Sequence, residues 1–120
     1  MAAIKRVLIV EDEKPLAHAL ELKLTHEGFD PIIATNGEEC MNIIKSQHVD
    51  VVLLDMMMPV MDGFQVLQEI AHLENKPTVF ALSNLSLHDD QDRVMAMGAQ
   101  KYFIKSDTPL TTIVEEIKKL

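Results

Sequence analysis

A chain of 120 residues, 48% hydrophobic and 25% charged, is sized for one globular domain with a single core and excludes a disordered or multi-domain architecture. Its apolar runs are far shorter than a bilayer span, which excludes a membrane-spanning helix. The net charge of −8 argues against nucleic-acid binding, which needs a basic face, and against an anionic membrane surface.

The N-terminal MAAIKRVLIVEDE ends in three acidic residues rather than a small-residue cleavage site, which argues against a signal peptide. Val7 to Val10 is the first strand. A helix follows, with Pro15 in its first turn, where a missing N–H costs nothing, and Gly28 closing it. Ile32 to Ala34 is a weak second strand ended by the turn signal Asn36-Gly37, and Glu38 to Gln47 is the second helix. Val51 to Leu54 is apolar on consecutive positions, the pattern of a strand buried on both faces. The loop Asp55 to Gly63 leads to a third helix over about Phe64 to His72. Val79 to Leu82 is the fourth strand. Ser86 is placed to cap a fourth helix with Asp89 and Asp90 in its first turn, and that helix stops at Gly98. Tyr102 to Ile104 is the fifth strand, and Thr108-Pro109 opens a last helix. The single Cys40 excludes an internal disulfide and fits a reducing cytoplasm, and the five histidines lack metal-ligand spacing. Five β/α units with right-handed crossovers predict an α/β fold. Its sheet is doubly wound, parallel and flavodoxin-like, of order 2-1-3-4-5, with helices on both faces.

In such a sheet, ligands bind beyond the carboxyl ends of the strands, where strand order reverses. Strand one ends in Glu11 and Asp12, strand three in Asp55, strand four in Ser83 and strand five in Lys105. Each residue alone has an ordinary alternative. Acids after a strand often cap the next helix, a serine there is commonly a turn residue, and a lysine is commonly a solvated charge. Their joint placement favours a site. Clustered carboxylates hold a raised proton affinity unless a cation sits among them, and oxygen-only ligands favour Mg²⁺. A carboxylate is also a nucleophile able to form an aspartyl phosphate, whose oxygens Lys105 and Ser83 would hold.

The segments VLIVEDE, VVLLDMMMPVMDG, FALSN and KYFIK together resemble the receiver domains of two-component response regulators, over essentially the whole chain, residues 1–120. The most specific segment runs from Asp55 to Gly63. The resemblance implies a phosphorylation-dependent switch, not a turnover enzyme, with Asp55 as phosphoacceptor. It also implies Mg²⁺ held by Glu11, Asp12, Asp55 and the backbone carbonyl of Met57. Ser83 and Lys105 would bind the phosphoryl group, and Tyr102 would be the aromatic switch residue, its ring moving inward on phosphorylation. The implied donor is a sensor histidine kinase or a phosphotransfer protein, and the implied output is a change in the face of the fourth helix, fifth strand and fifth helix. That face would act on an output protein or domain. A phosphorylation-dependent homodimer through it is a family expectation that no sequence feature requires. On the first helix, Ala17, Leu20 and Leu24 form the core stripe, while Pro15, Ala19 and Leu22 form a second one that implies kinase docking.

Three departures from the family pattern stand out. The strand-five lysine is usually followed by proline, often through a cis bond, and here Ser106 follows Lys105, leaving the bond cis or trans. Asn84 stands where a small residue is common, placed to crowd the site or to hydrogen-bond the phosphoryl group. Glu11 replaces the more frequent aspartate. Met57 and Leu85 flank the expected water path and would slow hydrolysis; the alternative is that Met56, Met57, Met58 and Met61 only fill an irregular loop. Two competing functions are a degenerate receiver serving as a phosphorylation-independent interaction module, and a haloacid-dehalogenase-type phosphatase. The phosphatase would need a second aspartate where Met57 stands.

Overall fold

Consecutive apolar residues in a short segment demand cover on both faces, and β3 (Val51–Asp55) has it, each of its five residues being buried. The computed structural model describes residues 5–58, 60–84 and 88–120. In it β3 is the centre of a parallel five-stranded sheet ordered β2-β1-β3-β4-β5, the order expected from the sequence. Its neighbours are β1 (Arg6–Val10) and β4 (Thr78–Ser83), and the edges are β2 (Asp30–Ala34) and β5 (Lys101–Ile104).

Strand parity sorts the core into two layers. Val7, Ile9, Val51, Leu53, Phe80 and Leu82 pack under α1 (Lys14–His26) and α5 (Leu110–Lys118). Leu8, Val10, Val52, Leu54, Val79 and Ala81 pack under α2 (Gly37–Ser46), α3 (Gly63–Ala71) and α4 (His88–Ala96). Ala17, Leu20 and Leu24 are the buried stripe of α1, as their spacing predicts. Cys40 is buried in the other layer, which pushes its thiol pKa up to about 12 and leaves it inert.

Most element boundaries fall within a residue or two of expectation. Asn36-Gly37 is different: Asn36 is the N-cap of α2, its side chain accepting the Glu39 N–H at 2.9 Å. The same chemistry that makes asparagine a turn residue makes it a cap, and the helix directly after it decides between them. Ser86, expected to cap α4, lies outside the described residues; Gly98 ends that helix with φ 115°. Beyond β5 the chain makes a 3₁₀ turn, Lys105–Asp107, before Pro109 caps α5.

The loop after β3 is held by α3. Asp62 and Gln65 form a reciprocal capping box, and the Gly63 N–H donates to the Met56 carbonyl at 3.2 Å. A Cβ at Gly63 would lie 2.6 Å from the Met56 Cα, so only glycine lets the helix start this close to the strand end. Val60 in the same loop has φ 70°, a left-handed conformation unfavourable for a β-branched residue, and its side chain is 75% exposed. Val60→Gly should therefore stabilise the fold by about 1 kcal/mol, strain relief exceeding the added chain entropy. A denaturant midpoint moved upward at unchanged slope would show it; a lower midpoint would contradict it.

Candidate functional site

Register brings the chemistry together. Val10 pairs with Leu54, so Glu11 and Asp55 follow side by side at the carboxyl ends of adjacent strands. By parity both belong to the α1/α5 side of the sheet, continuing Ile9 and Leu53. The Glu11 N–H extends the ladder by donating to the Ala34 carbonyl at 3.0 Å. Glu11, Asp55 and Ser83 are the buried polar side chains among the described residues. Carboxylate oxygens of Glu11, Asp12 and Asp55 lie within 4.8 Å of one another, with Asp12 exposed at the mouth.

Lys105 is the cation of this cluster. An ammonium has three N–H donors, and all three are engaged: Glu11 Oε1 at 3.0 Å, Glu13 Oε2 at 2.9 Å and Asp55 Oδ2 at 3.2 Å. Asp55 Oδ1 accepts the Met57 N–H at 3.0 Å, and Glu11 Oε1 also accepts the Glu13 N–H at 3.1 Å. Glu11 Oε2 receives no hydrogen bond, although Lys105 Nζ lies 2.9 Å away as its ion-pair partner. A buried, orphaned carboxylate oxygen beside two further carboxylates is a seat for a hard cation.

The electrostatics agree with this geometry. Desolvation is the main influence on Glu11; Lys105 opposes it, the Asp55 charge adds to it, and the pKa rises from 4.5 to about 7. Desolvation likewise raises Asp55, against the Met57 N–H and Lys105. Burial works against the Lys105 charge, yet the hydrogen bonds to Glu11 and Glu13 and the charge of Asp55 hold its pKa above the ordinary lysine value. The proton affinity is thus raised at both Glu11 and Asp55, as expected, with burial rather than mutual repulsion as its main cause.

Ser83 closes β4, one position beyond Leu82, the register partner of Asp55. Its side chain hydrogen-bonds the Tyr102 hydroxyl, and burial raises the tyrosine pKa. Tyr102 is half-buried and engaged with Ser83 in this state. The Lys105–Ser106 bond is trans, as are all the described peptide bonds. Lys105 reaches Glu11 and Asp55 through it, so loss of the usual proline leaves the lysine in place. Asn84 accepts the Ser106 N–H at 3.1 Å.

Met56 is buried and Met58 and Met61 pack on the core, so these three do fill the loop. Met57 is 60% exposed and does not; Leu85 lies outside the described residues. On α1, Pro15 is exposed, Ala19 half-buried and Leu22 71% exposed, a face separate from the core stripe. Sequence reasoning missed Glu13. No residue pattern signalled it, because its role depends on how Lys105 distributes its N–H donors.

A family model for the response regulator receiver domain matches residues 7–118. The chain is 35% identical over 107 residues to the probable transcriptional regulator ycf27 of Porphyridium aerugineum, a match covering 88% of this chain and 43% of that protein. Against the protein of the same name from Guillardia theta the identity is 36% over 107 residues, covering 88% and 41%. The chain thus spans less than half the length of these curated relatives. Among solved structures, the response regulator TrrA of Thermotoga maritima, in complex with Mg²⁺-BeF, is 32% identical with a TM-score of 0.84, covering 97% of this chain and 98% of that one. The receiver domain of the Francisella response regulator 1452 superposes with a TM-score of 0.90 at 24% identity, covering 96% and 94%, a likeness of fold. With its strand order, its acidic cluster and its lysine placed as they are, the chain belongs to the response regulator receiver domain family of two-component signalling.

Proposed function

We propose that Asp55 accepts a phosphoryl group from a histidine kinase or phosphotransfer protein and that the resulting charge switches the face formed by α4, β5 and α5. The observation that carries this is the environment of Asp55. One oxygen is oriented by the Met57 N–H, the other faces Lys105, and the orphaned Glu11 oxygen stands alongside. Glu11, Asp12, Asp55 and the Met57 carbonyl would hold Mg²⁺, which supplies charge screening for the incoming dianion.

Asp55 attacks phosphorus while the bond to the donor nitrogen breaks; the N–P bonding pair stays with the departing imidazole. Lys105 then redirects N–H donors from carboxylates to phosphoryl oxygens. Glu13, with a side chain 63% exposed, is the partner most cheaply released, since water replaces what it loses. The Ser83 hydroxyl has one donor and two acceptor sites. Donating to the phosphoryl group would take its proton from the Tyr102 oxygen and leave the phenol to donate in return, so the change at Asp55 reaches β5. The Lys101–Glu116 ion pair, 3.0 Å, ties β5 to α5 within the responding face. Phosphorylation biases two arrangements of this face by their difference in contacts. A homodimer or an attached output domain would read that difference; the greater length of the curated relatives supports the second.

Pro15, Ala19 and Leu22 on α1 form the apolar face proposed to dock the donor. A phosphorylated kinase should lose its label to the chain in Mg²⁺. Ala19→Glu with Leu22→Glu should slow that transfer at least tenfold, about 1.4 kcal/mol of docking, while uptake from acetyl phosphate stays unchanged. Equal slowing with both donors would contradict the docking role, and label retained on the kinase would contradict the donor class.

A further inference from the structure

Two departures from the family pattern meet in space. Ser106 directly follows Lys105, and Asn84 directly follows Ser83, so each is chained to one of the two groups proposed to hold the phosphoryl oxygens. A proline after the lysine would have no N–H. Ser106 has one, in a 3₁₀ turn too short to satisfy its own first donors, and the Asn84 side-chain oxygen accepts it at 3.1 Å across 22 residues. The strand ladder between β4 and β5 has its last register pair at Ser83 and Ile104. The Asn84–Ser106 bond therefore continues the tie between the two strands past the end of the sheet.

We propose that Asn84 is a positioning residue: its bond to the Ser106 N–H fixes the loop carrying Lys105 against the loop carrying Ser83. The inference rests on the phosphoacceptor function proposed above. Asn84 acts through the backbone of Ser106 and not on the phosphoryl group, so removing either partner has the same consequence. Glu11 and Asp55 keep the Glu13 and Met57 N–H bonds wherever Lys105 points, so the latch bears on the phosphoryl oxygens more than on the cation.

Beryllofluoride, titrated with saturating Mg²⁺ and followed by amide NMR, tests this. Asn84→Ala and Ser106→Pro should each weaken its binding about three- to tenfold, the worth of one net hydrogen bond. The double variant should be no weaker than either single one. Ser106→Ala keeps the N–H and should keep wild-type affinity. Mg²⁺ affinity measured alone should be unchanged in Asn84→Ala, which general damage to the fold would not allow. Additive losses, or an Asn84→Ala variant of undiminished affinity, would overturn the latch while leaving the phosphoacceptor function standing. Should Ser106→Pro fail to fold, faster exchange of the Ser106 amide in Asn84→Ala, with weakened beryllofluoride binding, still supports it; exchange unchanged from wild type overturns it. If the wild type binds no beryllofluoride, the phosphoacceptor function falls and the latch with it.

Discussion

Lys105→Ala should take up phosphoryl groups from acetyl phosphate about 10²–10³-fold more slowly than the wild type, the usual cost of losing one preorganised donor to a developing charge. The lysine has all three N–H donors on carboxylates and a side chain only 11% exposed, so water cannot take its place. The same variant should lose stability. Removing the cation leaves Glu11 and Asp55 facing each other in a buried site, and an uncompensated buried charge costs about 3 kcal/mol. Without Mg²⁺ this cost should grow as pH rises, since losing Lys105 pushes the proton affinity of Glu11 higher still. At pH 6 it should shrink, because Glu11 accepts a proton instead. Rates within threefold of the wild type would remove Lys105 from the phosphoryl site. A stability loss independent of pH would mean that packing of its stem, not its charge, holds the loop.

The second large effect is a pH dependence of the metal-free protein. Glu11 has a folded-state pKa of about 7 against an ordinary 4.5. Between those values the folded chain binds more protons than the unfolded one, so stability is highest below about pH 4.5 at this site and falls as pH rises through 7. The full effect is on the order of 3 kcal/mol, or about 10 °C in Tm for a domain this size. Asp55 is raised as well and adds to the same trend. A cation binds the ionised carboxylates only, so its stabilisation should grow over the same window and flatten the profile. Thermal unfolding from pH 5 to 8, with and without saturating Mg²⁺, measures both slopes. A metal-free Tm that rises with pH would contradict the assignment of Glu11 as the strained member of the cluster.

Most of the fold was legible because its signals are local and repeated. Val51 to Leu54 could only be a strand buried on both faces, and the alternation of short apolar runs with helical spacing fixed the parallel order. The site was legible at Glu11, Asp12, Asp55 and Lys105, which the topology brings to one edge of the sheet wherever the strands end. Glu13 was not, because its role depends on how a lysine distributes three N–H bonds, and no residue pattern encodes that. The Asn84–Ser106 bond joins residues far apart in the chain, and each looked like a separate oddity until the two loops were seen together. At Asn36-Gly37 the ambiguity is chemical: the asparagine side chain serves a turn and a helix cap alike, and Gly37 is needed for another reason. A Cβ there would lie 2.5 Å from the Met61 carbonyl oxygen.

The central claim is that Asp55 is the phosphoacceptor, and intact mass tests it most directly. The wild type and Asp55→Asn are incubated with acetyl phosphate and Mg²⁺, and with chelator in place of the metal. The wild type should gain the mass of one phosphoryl group only when Mg²⁺ is present, and Asp55→Asn should gain none. Labelling of Asp55→Asn equal to the wild type, or an unlabelled wild type under conditions that phosphorylate other receivers, would contradict it.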